Sequence, residues 1–181
     1  MDHRIQRILI TTEELKTGIK KAADYINKTY QNCQQPPILV GILKGCIPFI
    51  GQLLPNIKID VEVDFLTVSS YEGGLKSTEN VRIVTDLVTD IANRDVILIE
   101  DIVDTGRTIN IIKQIILSRK AKSMQIVAML DKPCQRVCDL KVDFACFTIE
   151  PLFVVGFGLD YKQILRNLPY IAILKPEIYQ K

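Results

Sequence analysis

Two short, unbroken runs of apolar residues constrain the fold of this chain more than any other feature. They are ILVGIL at 38–43 and VILI at 96–99. An apolar run of this length without alternation is typical of a strand that is buried on both faces, as in the middle of a parallel sheet. Parallel strands need long crossovers between them, so we predict an α/β fold with a mostly parallel, twisted sheet flanked by helices.

Local patterns place the other elements. The sequence TTEE at 11–14 has the spacing of a capping box and precedes apolar residues at helical intervals, so we predict a helix over 13–32. Further helices are expected at 46–54 and 108–118. Further strands are expected at 61–69, 81–86, 125–130, 143–149, 153–156 and 171–174. The N-terminal segment around His3 is expected to be frayed.

Length and charge narrow the classes of function. The 181 residues correspond to one domain, and 23 Lys and Arg residues against 21 Asp and Glu residues leave a net charge of +2. This balance is far from the basic excess of a nucleic-acid-binding protein. The longest apolar stretch is interrupted by Lys44 and Pro48. We therefore expect a globular protein that binds neither nucleic acid nor a membrane.

The single histidine and the scattered cysteines exclude several kinds of catalytic chemistry. His3 is the single histidine, which excludes Ser-His-Asp and Cys-His catalysis and histidine-rich zinc sites. The five cysteines are odd in number and do not resemble a disulfide framework, so we expect a reducing, cytoplasmic location. Catalysis must therefore use carboxylates, lysines, hydroxyls or a hard metal.

A strand that leads into a loop and a helix marks the candidate site. After the run at 96–99 come Glu100 and Asp101, and then the sequence DTGRT opens the helix at 108–118. Backbone N–H groups, hydroxyls and an arginine at a helix N-terminus suit a phosphate, and Gly106 would let the backbone approach it closely. The candidate phosphate ligands are Asp104, Thr105, Gly106, Arg107 and Thr108.

The ligand at this loop is expected to be a ribose 5-phosphate. The loop is neither a Walker A sequence nor a GxGxxG sequence, which favours a monophosphate. Two adjacent carboxylates, Glu100 and Asp101, suit the vicinal hydroxyls of a ribose, directly or through Mg²⁺. The alternative is structural: the acidic pair is merely solvated, and Asp104 or Thr105 caps the helix.

The segment 96–108 resembles the phosphoribosyl pyrophosphate (PRPP) motif of the type I phosphoribosyltransferases. The motif consists of a hydrophobic strand, two acids, two apolar residues and DTGRT. The aspartate at position 104 is similar to the residue that the purine branch of this family has there. From about residue 38 to residue 174 the chain is similar to the hypoxanthine-guanine phosphoribosyltransferases.

This resemblance implies a set of ligands for PRPP. Lys44 and Gly45 resemble the loop that binds pyrophosphate through backbone amides, with a cis peptide before the lysine. Ser70 and Tyr71 resemble the start of a mobile lid over about 69–80. Arg166 matches an arginine that binds pyrophosphate. The implied Mg²⁺ ligands are Glu100, Asp101 and Asp160.

The same resemblance implies a purine pocket. Lys132 matches the lysine that reads the exocyclic oxygen, Phe153 would stack on the base, and Val154 would contact the purine edge through its backbone. Asp160 would complete the pocket beside the metal. Each of these residues taken alone also has an ordinary interpretation as a surface charge, a core aromatic or a turn residue. Their order along the chain is what favours the functional interpretation.

The implied protein is a purine-salvage enzyme that uses Mg²⁺. It would transfer the phosphoribosyl group of PRPP to N9 of hypoxanthine or guanine, with Asp104 as general base at N7, and release pyrophosphate. One domain over 1–181 is expected, with a core at about 36–150 and a hood formed by the N-terminal segment and about 150–181. A homodimer or homotetramer is implied, and the preferred oxopurine is left open.

One alternative belongs to a different class of protein. A PRPP-sensing regulator that binds nucleic acid can be built on the same fold. The net charge of +2 and the lack of an additional domain in the 181 residues disfavour this alternative.

Overall fold

The computed structural model describes residues 2–70 and 81–180, with only the backbone described at Ser70 and Val81. The strands are β1 (Ile5–Ile10), β2 (Ile38–Leu43), β3 (Glu62–Ser70), β4 (Val81–Thr85), β5 (Asp95–Val103), β6 (Ser123–Asp131), β7 (Phe144–Thr148), β8 (Val154–Val155) and β9 (Ile171–Leu174). The helices are α1 (Thr12–Tyr30), α2 (Ile47–Leu53), α3 (Arg107–Ser118) and α4 (Pro176–Tyr179). The expected lid at 71–80, including Tyr71, lies outside the described residues.

The larger sheet has six strands in the order β4-β3-β2-β5-β6-β7. Strands β3, β2, β5, β6 and β7 are parallel to their neighbours, and β4 pairs with β3 in the antiparallel direction. The prediction of an α/β fold with a mostly parallel sheet is therefore confirmed. The parallel direction places the carboxyl ends of β2, β5 and β6 at one edge of the sheet, where sites of such folds lie.

The two apolar runs form the middle strands of this sheet, where they are covered on both faces. On one face, Leu39, Ile97 and Ile99 pack in the cluster that holds the buried residues of α1 and α2. On the other face, Val40 and Leu98 pack in the cluster formed with α3. Alternate residues of one strand thus enter two different cores, which is why neither run alternates with polar residues.

The ends of the predicted elements agree with the structure to within a few residues. The start of α1 and the end of β5 are the most informative of them. The capping box is present: Glu14 N–H donates to Thr11 Oγ1 at 3.3 Å, and Thr11 N–H donates to Glu14 Oε2 at 2.8 Å. Helix α1 therefore starts at Thr12. Strand β5 continues to Val103, so Glu100 and Asp101 lie within the strand rather than after it.

A second, antiparallel sheet has the strand order β1-β9-β8. The expectation of a frayed N-terminal segment is wrong, because Ile5–Ile10 pairs with β9. Ile5 is buried in a small cluster with Val155, Ala172 and Leu174. Pairing with a strand at the far end of the chain gives this segment its order, and no local pattern shows such a partner.

Two further observations concern the helices and the cysteines. Within the described ranges, none of the helices is long and apolar enough to cross a membrane. All five cysteines are free in this structure.

Candidate active site

A cavity of about 260 Å³ lies beyond the carboxyl ends of β5 and β6. It is lined by Asp101, Ile102, Asp104, Lys132, Phe153, Val154, Leu159 and Asp160. All but Ile102 and Leu159 belong to the site predicted from the sequence. Residues from three separate parts of the chain therefore meet around one space, as a small-molecule site requires.

A lysine and a carboxylate form the polar centre of this cavity. Lys132 is only 7% exposed in its side chain, and its Nζ donates to Asp104 Oδ2 at 3.1 Å. Asp104 Oδ1 is buried and has no hydrogen-bond partner among the described residues. The backbone N–H of Lys132 donates to Val103 O at 3.0 Å, which ties β6 to the end of β5. The pair thus presents a cationic donor beside an acceptor with unused capacity.

The loop between β5 and α3 depends on a glycine at the start of the helix. Gly106 is the N-cap residue of α3 and has a φ of 81°, so the structural alternative in which Asp104 or Thr105 caps this helix is wrong. A Cβ on Gly106 would lie 2.7 Å from Arg136 Cδ and 3.1 Å from Cys138 Sγ. Backbone conformation and packing against residues 136–138 therefore already require glycine at this position.

The start of α3 nevertheless offers donors to an anion. The first N–H groups of a helix have no intrahelical acceptor, and Gly106 has no side chain that could accept from them. Asn110 N–H donates to Gly106 O at 2.9 Å as the first helical bond of this turn. The positive end of the helix dipole also lies here. Thr105, Arg107 and Thr108 surround this helix start but do not line the cavity.

Two partly buried acidic residues, Glu100 and Asp101, lie next to each other on β5, and Asp101 lines the cavity. Burial raises the pKa of Asp101 to about 6, although the N–H of Ile102 and the nearby guanidinium of Arg166 lower it. Burial also raises the pKa of Glu100 well above its usual value, and the neighbouring Asp101 raises it further. Glu100 Oε2 is buried without a partner among the residues described. These carboxylates can therefore accept a hydroxyl or a hard cation.

The loop after β2 lies directly against Asp101. A Cβ on Gly45 would be 1.5 Å from Asp101 Oδ2, and a Cβ on Gly158 would be 2.0 Å from Gly45 O. Both glycines are therefore required by close approach. The peptide bond between Leu43 and Lys44 is cis, as the family resemblance implied. Neither Lys44 nor Gly45 lines the cavity, but the contact with Asp101 places their loop next to it.

Asp160 and Arg166 are paired with each other. Arg166 Nη2 lies 2.6 Å from Asp160 Oδ1, and Gln163 N–H donates to Asp160 Oδ2 at 2.8 Å. Arg166 Nη1 also donates to Gly158 O at 2.6 Å. Both oxygens of Asp160 thus have partners, and in the part of the chain that is described no three His, Cys, Asp or Glu residues form a metal-binding group. Asp101 is close enough to Glu100 and to Asp160 to interact electrostatically with each, but the three residues do not form such a group.

Phe153 forms an aromatic wall of the cavity. Phe153 is 37% exposed, so part of its ring is open for stacking. Tyr179 stacks on the ring with centroids 4.7 Å apart, and Tyr161 meets it edge-on at 6.0 Å. Sequence reasoning missed Tyr179, because nothing in the local pattern of α4 indicates a contact with Phe153.

Arg136 is a second residue that sequence reasoning missed. Its Nη1 donates to the backbone carbonyl of Asp104 at 2.6 Å, and its Nη2 pairs with Asp131 at the end of β6. Its only signal in the sequence is a position four residues after Lys132.

Ser70, expected at the lid, ends β3, and its side chain is not described.

Comparisons with known proteins show which family this chain belongs to. The model of the phosphoribosyl transferase domain family matches residues 11–162. The hypoxanthine-guanine phosphoribosyltransferase of Lactococcus lactis is 42% identical over 181 residues, which cover all of this chain and 97% of that protein. The enzyme of the same name from Streptococcus agalactiae is 45% identical and is covered over 99% of its length.

A solved structure shows the same fold. The crystal structure of a hypoxanthine phosphoribosyltransferase from Staphylococcus aureus superposes with a TM-score of 0.92 at 42% identity, covering 98% of this chain and 96% of that one. The sequence match and the shared fold extend over essentially the whole chain. The protein therefore belongs to the hypoxanthine-guanine phosphoribosyltransferase family.

Proposed function

We propose that this protein joins a free 6-oxopurine to PRPP, giving a nucleoside 5′-monophosphate and pyrophosphate. The observation that supports this most directly is the Lys132–Asp104 pair beside Phe153 in one cavity. A cationic donor next to a carboxylate complements the O6 and N7 positions of a 6-oxopurine. The relatives reported above are named for hypoxanthine and guanine, which makes these bases the first substrates to test.

The base would be held by three groups. Its ring would stack on the open part of Phe153, Lys132 would donate to O6, and Asp104 would accept the proton of N7. The N9 lone pair then forms the bond to the anomeric carbon of PRPP while the bond from that carbon to pyrophosphate breaks. The N7 proton moves to Asp104, which balances the charge on the purine.

The phosphoribosyl group would be held at the start of α3. The N–H groups of residues 105–108 and the hydroxyls of Thr105 and Thr108 would bind the 5′-phosphate, with Arg107 beside them. Fixing the phosphate fixes the anomeric carbon relative to the base, so that binding energy far from the reacting bond lowers the barrier. Lys44, Gly45 and Arg166 would contact the leaving pyrophosphate.

The carboxylates on β5 fit a hard divalent cation. Glu100 Oε2, which has no partner among the residues described, and the carboxylate of Asp101 can both supply oxygen ligands. Mg²⁺ commonly combines one or two carboxylates with oxygens of a phosphate substrate. Glu100, Asp101 and Asp160 are the residues that would hold it. A bound Mg²⁺ would neutralise charge on the pyrophosphate.

The direct test is an assay of pyrophosphate release from PRPP with hypoxanthine, guanine, xanthine and adenine in turn. We expect turnover with at least one 6-oxopurine and none with adenine, whose 6-amino group offers Lys132 no acceptor. Excess EDTA should abolish turnover, and added Mg²⁺ should restore it. Turnover with adenine alone would contradict the assignment of Lys132 and Asp104.

Three wider features belong to the same proposal. The family resemblance implies a cytoplasmic homodimer or homotetramer, which light scattering of the purified protein would measure. The larger sheet would be the PRPP-binding core, over about 36–150. The smaller sheet would be the hood that covers the base.

A further inference from the structure

Three successive backbone carbonyls, at the end of β5 and in the loop that follows it, have partners on one segment of the chain. This segment, which we call the bracket, comprises residues 132–138 between β6 and β7. The N–H of Lys132 donates to Val103 O at 3.0 Å, Arg136 Nη1 donates to Asp104 O at 2.6 Å, and the N–H of Val137 donates to Thr105 O at 3.1 Å. Three successive carbonyls therefore point towards the bracket.

The direction of these carbonyls determines the direction of the amides. In a trans peptide, the C=O of one residue and the N–H of the next point to opposite sides of the chain. With the carbonyls of residues 103–105 held by the bracket, the N–H groups of residues 104–106 point away from it. The bracket therefore orients the amides that a phosphate at this loop would meet.

Arg136 is the one side chain among these three donors. Its side chain is 11% exposed, and its other end pairs with Asp131, whose side chain is 15% exposed. The guanidinium thus joins the carboxyl end of β6 to the peptide that links Asp104 and Thr105. Its stem also packs against the loop, since a Cβ on Gly106 would lie 2.7 Å from Arg136 Cδ.

A contribution to stability alone does not account for this arrangement. Desolvation of a buried ion pair offsets much of its attraction, so such pairs often add little to the free energy of unfolding. A fork of donors between a carboxylate and a carbonyl does, however, fix the relative position of both acceptors. Here the fixed elements are the loop that carries Asp104 and the strand end that precedes Lys132.

We propose that Arg136, held by Asp131, is a positioning residue that orients the anion-binding amides of Thr105 and Gly106 and the carboxylate of Asp104. The inference rests on the proposed function, because it assigns PRPP to this loop. Arg136 reaches the backbone of Asp104 and acts on the substrate through it. Its loss should therefore weaken PRPP binding and slow the chemical step together.

The chain offers a matched control at the amino ends of the parallel strands, just before β5. Arg94 is 16% exposed in its side chain, pairs with Glu62, and donates to the carbonyl of Pro36 at 2.7 Å. It therefore makes the same two kinds of contact as Arg136, but it precedes β5 instead of following β6. Comparison of Arg136→Met with Arg94→Met separates a general loss of stability from a loss of positioning.

The experiment measures PRPP affinity by titration calorimetry, kcat with hypoxanthine, and thermal unfolding for each full-length variant. Arg136→Met should raise the Kd for PRPP and lower kcat at least tenfold each, whereas Arg94→Met should change both by less than twofold at a similar loss of Tm. Arg136→Lys, which keeps the stem and the charge, should fall between wild type and Arg136→Met.

Two outcomes would overturn the proposal. One is a Kd for PRPP within twofold of wild type in Arg136→Met, and the other is an equal loss of PRPP affinity in Arg94→Met. If Arg136→Met does not fold, Arg136→Lys and Asp131→Asn decide the question, since each should still raise the Kd at least threefold. A wild-type protein that binds PRPP without transfer would contradict the proposed function, while the Kd values would still test Arg136.

Discussion

At the scale of single residues, the pairing of Lys132 with Asp104 explains how a buried lysine is tolerated in the wall of the cavity. A buried ammonium is costly unless it has a partner, and Asp104 Oδ2 at 3.1 Å supplies one. A purine bound in the cavity would give each member of the pair a new partner, with O6 for Lys132 and the N7 proton for Asp104. The pair is thus ready for exchange with a substrate of matching polarity.

Replacement of Asp104 by asparagine tests its role as the proton acceptor. Asp104→Asn keeps the size and can still accept from Lys132, but it cannot take the N7 proton. We expect kcat to fall by about 10²–10⁴ with little change in the Kd for PRPP. Asp86→Asn, at an exposed ion pair with Arg119, is the control and should keep kcat within twofold. A kcat near that of wild type would remove Asp104 from catalysis.

Gly45 gives a second residue-scale prediction, because its Cα lies against Asp101. Gly45→Ala would place Cβ 1.5 Å from Asp101 Oδ2, so the loop or the carboxylate must move. We expect the KM for PRPP to rise at least tenfold in steady-state assays. Gly51→Ala is the matched control, since nothing lies within 4 Å of its Cβ in α2, and it should leave KM unchanged. Equal KM values for the two variants would contradict the packing argument.

At the scale of elements, sequence patterns predict the helices and strands that are determined by residues close together in the chain. Strands β2 and β5 are recognisable because alternate residues enter two cores, and α1 is recognisable from its capping box and apolar spacing. Strand β1 is not, because its order comes from pairing with β9, more than 160 residues away. The contact of Arg136 with Asp104 has the same origin, since it depends on how two loops after neighbouring strands meet.

The start of α1 tests the local part of this account. Thr11→Ala removes the side chain that accepts from Glu14 N–H, and we expect a loss of about 1 kcal/mol in the free energy of unfolding. Thr17→Ala, on the same helix, removes only an intrahelical bond to Glu13 O and should cost little, because alanine favours helix. Urea unfolding of both variants measures the difference. Equal free energies would show that the capping box contributes nothing, and kcat should be unchanged in both.

At the scale of the whole molecule, the candidate site depends on both sheets. Asp101, Asp104 and Lys132 lie at or just after the ends of β5 and β6, whereas Val154 begins β8 and Phe153 directly precedes it. Sequence spacing alone predicted the phosphate loop, because a strand, a loop and a helix follow one another there. The purine side was predicted only from family resemblance, since no local pattern brings residues 104, 132 and 153 together.

This division predicts that damage to the smaller sheet should affect the purine more than PRPP. Ile5 pairs with Leu174 and packs in the cluster that holds Val155, next to the cavity residue Val154. Ile5→Ala should therefore lower the free energy of unfolding by about 2–4 kcal/mol and raise the KM for hypoxanthine several-fold, with the Kd for PRPP within twofold.

The neighbouring position provides the control for this last prediction. Gln6 is exposed on the same strand, so Gln6→Ala should leave stability and both substrate constants unchanged. Urea unfolding, steady-state kinetics and PRPP calorimetry on the two variants make the comparison. An equal rise in both substrate constants for Ile5→Ala would mean that the smaller sheet supports the whole site. A rise for hypoxanthine alone would assign that sheet to the base, because only Phe153 and Val154 reach the cavity from β8 and the residue before it.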